Sequence, residues 1–266
     1  MRRGVGLAGF WILLVAGFSL LAPLFLREMA QAMDFSALLE PPSFRHLLGT
    51  DSLGRDLLSR LLCGSRVSLG VAVLSIGFAV LIGVMVGACA GYYGGWRDKA
   101  LMAFVDVMLC FPVFFLILSV IAVLGPNVWN VAVVIGLTNW MGTARLIRAE
   151  ILSLKEREFV LASRALGAGD FWIIGRHLVP NAMGPVIVNA VLGLASAVLI
   201  ESSLSFLGIG VQPPTPSWGN ILMDGRAALG AAWWLVLFPG IMIFLTVLSV
   251  NVLGEELRRW AHGADR

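Results

Sequence analysis

Side chains able to carry covalent, metal or acid–base chemistry are few and scattered in this sequence. The three histidines, His46, His177 and His262, lie far apart, and the three cysteines, Cys63, Cys89 and Cys110, lack metal-type spacing. Neither set predicts a metal site, and the cysteines read as packing residues. A phosphate-binding loop requires Gly-Lys-Ser/Thr, so that backbone amides and a lysine hold the phosphates. The two lysines, Lys99 and Lys155, follow Asp98 and Leu154 instead. There is no Gly-x-Ser-x-Gly and no serine with an evident His and Asp partnership. No catalytic residue is assigned, and any ATP-driven step would belong to another polypeptide.

The elements that would position the remaining polar groups are membrane spans. Of 266 residues, 59% are hydrophobic and 13% charged, against roughly 45–50% and about 25% in soluble domains. The net charge of +3 is too small to suggest nucleic-acid binding. A span needs about 20 apolar residues in a helix, and uncharged runs place six: 5–26, one within 67–96, 107–125, 127–144, 181–200 and one within 227–254. All are expected to be helical, because an open strand leaves backbone polar groups unpaired in lipid. The first run is read as an uncleaved helix. Its competitor is a signal peptide ending near Ala30-Gln31-Ala32, but the 22-residue run exceeds the roughly 7–15 residues of a signal core. With a cytoplasmic N-terminus, thirteen Lys and Arg fall on the inner side (Arg2, Arg3 and Arg266 among them) and six on the outer, which predicts both termini inside.

Two connections stand out. In the outer segment, Leu57, Leu58, Leu61 and Leu62 share one helical face and Arg55, Asp56, Ser59 and Arg60 the other. This predicts a short helix lying on the membrane, capped by Thr50, Asp51 or Ser52, with substrate contact by Thr50–Leu62 as the alternative. The inner segment 145–180 reads as a helix at Glu158–Leu166, a break at Gly167-Ala168-Gly169, and a second helix at Asp170–Leu178, capped by Asp170 and ending at Pro180. It mixes Glu158, Arg164, Asp170 and Arg176 with Phe159, Leu161, Phe171 and Trp172. Such an elbow suits docking into a groove of another protein; the alternative is an amphipathic pair on the inner leaflet. Between the last two spans, Pro213–Gly219 predicts a stiff outer loop.

Asp106 and Glu201 are the acidic residues nearest the hydrocarbon, and ionisable groups there are functional candidates. Together with Ser202 they are candidates for the substrate pathway or an external gate. For Glu201 a structural role, with Ser202, Ser203 and backbone amides as partners, is preferred to contact with a cationic substrate.

At Glu158-Phe159-Val160-Leu161-Ala162-Ser163-Arg164-Ala165-Leu166-Gly167-Ala168, followed by His177-Leu178-Val179-Pro180-Asn181, the chain resembles the inner-membrane permease subunits of bacterial ATP-binding-cassette importers. Their Glu-Ala-Ala triplet is here Leu161-Ala162-Ser163, while Gly167 and Pro180 keep the family spacing. His46–Asp56, Arg66–Leu69, Glu201–Gly208, Pro213–Gly219 and Asn251–Gly254 narrow the resemblance to the dipeptide, oligopeptide and nickel group, over most of the chain after residue 45. A departure is Leu257-Arg258-Arg259 where the group often has Leu-Arg-Asp.

The resemblance implies an all-α, MetI-like permease fold in a bacterial inner membrane, in three parts. These are an N-terminal helix and external segment (1–66), a five-helix core (67–254) containing the coupling loop, and a cytoplasmic tail (255–266). It implies a second, paralogous permease, two cytoplasmic ATPases that bind ATP and Mg, and an external solute-binding protein, with no cofactor on this chain. Glu158, Leu161, Ala162, Ser163, Ala165, Gly167, Ala168 and Pro180 would contact the ATPase, and alternating access would carry short peptides inward. Nickel or a metal chelate is the alternative cargo. The rivals in other classes are an ion-coupled carrier, disfavoured because no clear charge lies at mid-span, and a membrane scaffold, which would not need the long elbow.

Overall fold

The computed structural model describes residues 2–263, with side chains from 4 to 261. The charges at Arg2, Arg3 and Arg266 and the side chain of His262 lie outside the described residues. Among the described residues the named elements are all helical: α1 (Arg2–Phe25), α2 (Arg27–Gln31), α3 (Leu57–Tyr93), α4 (Gly95–Leu109), α5 (Val113–Leu124), α6 (Val128–Leu154), α7 (Glu158–Ala165), α8 (Asp170–Trp172), a π-helical turn (Ile173–Leu178), α9 (Val179–Phe206), α10 (Trp218–Ala227) and α11 (Trp234–Gly263), with turns and loop over 32–56 and 207–217. Four helical stretches are long and apolar enough to cross a membrane: 4–25, 57–93, 170–206 and 234–261. The α4–α5 pair makes a fifth if it counts as one bent span. α6 does not reach that apolarity, because Asn130, Thr138, Asn139 and Arg145 dilute it.

Several expected boundaries move, each for a local reason. The run 107–125 is not one straight span: α4 and α5 meet at an 86° bend. Pro112 has ψ 114° there and no N–H to continue a ladder. The second span begins ten residues earlier than expected, at Leu57, and runs unbroken to Tyr93. Its cap is Asp56, whose carboxylate accepts from the Ser59 amide at 2.8 Å, not Thr50, Asp51 or Ser52. At Pro180 the helix does not end. The π-helical turn, in which the Val179 amide donates to the Ile174 carbonyl, leads straight into α9, so Pro180 sits inside one continuous helical stretch, 170–206. Gly169, not Asp170, is the residue preceding the second elbow helix. Past the Pro213–Gly219 loop the chain forms an unforeseen helix, α10, closed by a capping box between Ser217 and Asn220.

The core is built on α3 and α6. A Cβ on Gly83 of α3 would come within 2.6 Å of the Thr143 Cβ, one on Gly91 within 3.0 Å of the Arg148 carbonyl oxygen, and one on Gly87 would collide with the Ala144 carbonyl. These glycines recur every four residues and form a stripe on which the α6 backbone lies directly, the small-residue packing typical of helices in lipid. From the other side, Gly136 of α6 meets Ser75 and Phe78, and the Ser75 hydroxyl donates to the Ala132 carbonyl at 2.9 Å. α1 lies along α11, where the Trp11 indole donates to Thr246 at 3.2 Å.

Cys63 is buried, as expected of a packing residue, and Cys89 partly so, but Cys110 is exposed at the α4–α5 bend. Replacing Gly87 with Leu should force α3 and α6 apart and destabilise the fold by about 1–3 kcal/mol. Gly77→Ala, whose added atom meets open space, should leave stability unchanged. Thermal melting of the purified protein in detergent checks both.

Candidate functional site

The elbow after α6 is a rigid base carrying an exposed, partly aromatic surface. Val160 of α7 and Ile173 and Leu178 of the following turn are fully buried, packed in one cluster with Ile147 and Ile151 of α6 and Ala182 and Val186 of α9. Phe159, Leu161, Leu166, Phe171 and Trp172 are left exposed, Leu166 and Phe171 almost wholly so at 88% and 86%. Of the residues expected at an ATPase contact, Glu158, Leu161, Ala162, Ala165, Gly167 and Pro180 are exposed and Ser163 and Ala168 half-buried.

Gly167 is needed for a backbone reason. It has φ +83°, a left-handed conformation that costs other L-residues about 1–2 kcal/mol. From there its amide donates to the Arg164 carbonyl (3.0 Å) and the Ala168 amide to the Ser163 carbonyl (3.1 Å). This pair of bonds is a Schellman cap on α7. His177 closes the elbow from the other arm, its Nε2 lying 3.1 Å from the Ser163 hydroxyl. The elbow is tied to α3 by the Tyr92 hydroxyl, which donates to Asp170 at 2.6 Å, with the Arg164 guanidinium 5.7 Å above the Tyr92 ring.

At the opposite end, the outer segment contradicts the reading of a helix lying on the membrane. Leu57 and Leu61 are buried in the core, and the polar face of the same turn is buried as well. Arg55 Nε donates to Asp51 at 2.7 Å, Arg60 bonds both Asp51 and Asp224, the latter at 2.9 Å, and Arg55 reaches Asp224 at 3.4 Å. Asp51 is inaccessible and Arg60 is 2% exposed, so two arginines and two carboxylates neutralise one another inside the protein. Hydropathy along one helix cannot reveal this, because Asp224 comes from α10, 164 residues away. His46 supports the same corner through Asp56, 3.1 Å from its Nδ1. Outside the spans, the hydroxyl and amide of Ser36 hold the Asp34 carboxyl below the usual carboxylate range.

Glu201 is fully buried near the end of α9. Ser205 donates to it at 2.8 Å and Ser202 lies at 3.4 Å, with the hydroxyls of Ser68 of α3 and Ser217 at the start of α10 facing it. Ser203 is not a partner; it is exposed and donates to the Leu199 carbonyl. Trp218 completes this junction, its amide bonded to Ser68 and its indole to the Leu61 carbonyl. Glu201 therefore faces no open pathway and joins α3, α9 and α10. Asp106 lies apart from it, exposed on the last turn of α4 and paired with Arg145 of α6.

A cleft of about 330 Å³ opens beside the α4–α5 bend, lined by Asn139 and Thr143 of α6, Asn189 and Ser196 of α9, and apolar residues of α3. The interruption of the fourth apolar run by Asn139 was the only sequence signal for it. Asn189 and Ser196 gave none, since single polar residues in an apolar run do not reveal which neighbours they will face.

Among the described residues the secondary structure is helical, with an exposed, rigidly based elbow between two long helices, which defines a multi-pass helical membrane protein. Residues 79–261 match the model of the binding-protein-dependent transport system inner membrane component, and the chain belongs to that family. It is 39% identical over 250 residues to a dipeptide transport system permease protein of Alkalihalophilus pseudofirmus, covering 93% of this chain and 82% of the relative. It is 38% identical to a glutathione transport system permease protein of Pectobacterium atrosepticum, covering 97% and 86%. Among solved structures, a chain of the inward-facing MetNI methionine ABC transporter superposes with TM-score 0.57 at 19% identity, covering 74% of this chain and 94% of that one. A chain of an amino acid ABC transporter with histidines gives 0.55 at 13%, covering 76% and 92%. At these identities the likeness shows the fold, which is MetI-like as expected.

Arg60→Leu removes a buried bridge between Asp51 and Asp224 and should cost on the order of 3 kcal/mol, since breaking a buried pair strands the partner charge. The expected readout is a lower melting temperature and less monodisperse protein in detergent, with Arg60→Lys intermediate.

Proposed function

We propose that this chain is a membrane-spanning subunit of an ATP-driven importer of short peptides in a bacterial inner membrane. The observation that carries the transport role is the elbow: five exposed large apolar side chains on a base held by Val160, Ile173 and Leu178. That surface fits a groove on a partner better than it fits water. The cargo reading rests on relatives named for dipeptides, di/tripeptides and glutathione, which favours peptides over nickel.

In this reading the chain crosses six times, with α4–α5 as one bent span and α6 as the interior one, and both termini are cytoplasmic. Val5 shares a crevice with Glu255 and Glu256, so the start of α1 and the end of α11 lie at one end, as an even number of crossings requires. Ala22 of α1 clusters with Cys63 near the start of α3, which puts the start of α1 at the same end as Tyr92 and the elbow. The partners are a paralogous permease, two cytoplasmic ATPases holding ATP and Mg, and an external solute-binding protein. Closure of the ATPases moves the elbow, and the elbow moves α6 and α9, exposing the route to each side in turn. Glu158, Leu161, Ala162, Ser163, Ala165, Gly167, Ala168 and Pro180 form or support the ATPase contact.

Purification of the tagged chain from native membranes in mild detergent, followed by mass spectrometry, should recover a second permease and P-loop ATPases in comparable amounts. Recovery of the chain alone, under conditions that keep a known importer intact, would overturn the reading. Gly167→Asp should uncouple ATP hydrolysis from uptake in the assembled complex. Normal uptake with normal assembly would remove the elbow from the coupling route.

A further inference from the structure

We propose that the cleft beside the α4–α5 bend is a wet, uncharged groove in which Asn139 and Asn189 accept hydrogen bonds from the backbone N–H groups of a passing peptide. The inference rests on the peptide reading above and assigns residues to the route.

The cleft lies midway along the bundle. Ile76 is 19 residues from the start of α3 and 17 from its end, and Asn189 is 19 residues from Asp170 and 17 from Phe206 in the continuous helix. Three features show that this face is not built for lipid. The bend leaves Cys110, Phe111 and Pro112 exposed and outside either helix, and irregular backbone at membrane depth is tolerated only against protein or water. The Asp106–Arg145 ion pair, from α4 and α6, is exposed at 61% and 52%, and a charged pair facing acyl chains is costly. Asn189 and Ser196, seven residues apart on one face of α9, are themselves exposed.

The chemistry of the groove follows from its hydrogen bonds. Asn139 Nδ2 donates to the Ile135 carbonyl at 2.7 Å, and Asn189 Nδ2 donates to Thr143 Oγ1 at 3.3 Å. Each amide is thereby oriented with its nitrogen inward. Among the described residues nothing donates to either Oδ1, and no charged side chain lines the cleft. Two carbonyl acceptors with no fixed charge suit what all peptides share, the backbone N–H, and are indifferent to side-chain charge. A volume of about 330 Å³ is at the small end for a ligand cleft, as befits a route that must also release its cargo.

Two measurements on the complete importer in membranes test this. In a background of Cys63→Ala, Cys89→Ala and Cys110→Ser, the Asn189→Cys and Ser196→Cys variants should react with a small water-soluble methanethiosulfonate about tenfold faster or more than Leu13→Cys on α1, whose native side chain is exposed on an apolar helix. Equal rates overturn the wet groove, whatever the cargo. Uptake of trialanine is then compared with uptake of its analogue methylated at the amide nitrogen of the central residue. The preference for trialanine should fall about fivefold in the Asn139→Leu, Asn189→Leu double variant, the weight of one neutral hydrogen bond, and persist in Asn189→Gln. If wild type and double variant prefer trialanine equally, the discrimination belongs to the binding protein and backbone recognition here is overturned. If wild type takes up no peptide, the cargo reading falls and backbone recognition with it, while thiol labelling still decides whether the groove is wet.

Discussion

A helix pair in lipid gains nothing from excluding water between apolar side chains, so it must be held by close contact and by satisfied polar groups. In this protein that constraint acts at the seam of α3 and α6, where Gly83, Gly87 and Gly91 let the α6 backbone rest against α3. The rest of the molecule is arranged around that contact. The far end of α6 carries the elbow, the far end of α3 holds it through Tyr92 and Asp170, and the near end of α3 is clamped through Arg60 to α10. The elbow thus touches both helices of the seam, following α6 after the short turn 155–157 and meeting α3 through Tyr92.

Buried polar groups are placed where helices must not slide. The Asp51, Arg55, Arg60 and Asp224 network and the Glu201 junction with its serines both sit where α3, α10 and the end of α9 meet. A buried ion pair is a poor source of net stability, because desolvation offsets most of the attraction. It does penalise any register in which one charge loses its partner. The two nodes thus fix the end of the bundle opposite the elbow, while the elbow end is held by apolar packing, the Arg148–Asp98 pair and a few surface bonds.

The groove and the elbow differ in the same physical way. The elbow shows large apolar side chains that need a permanent cover, whereas the groove shows small neutral polar groups that can exchange partners with water and a solute. Weak, unspecialised contacts favour passage, because a tight site would retain what it binds.

Much of this was determined by the sequence alone. Uncharged runs located the apolar helices, Gly167 with Ala168 marked the break in the elbow, and the order of motifs pointed to the permease family, since length, hydropathy and turn chemistry are local properties. What tertiary structure alone decided depends on partners distant in the chain. Arg55 and Arg60 read as the wet face of a surface helix until Asp224 arrived to neutralise them. Glu201 read as an interfacial group until Ser68 and Ser217 enclosed it. The end expected at Pro180 failed because a π-helical turn directly before it carries the chain from Asp170 into α9 without a break. The groove was legible only as an interruption at Asn139, because Asn139 and Asn189 stand 50 residues apart, and only the packing of α6 against α9 turns two isolated amides toward one space.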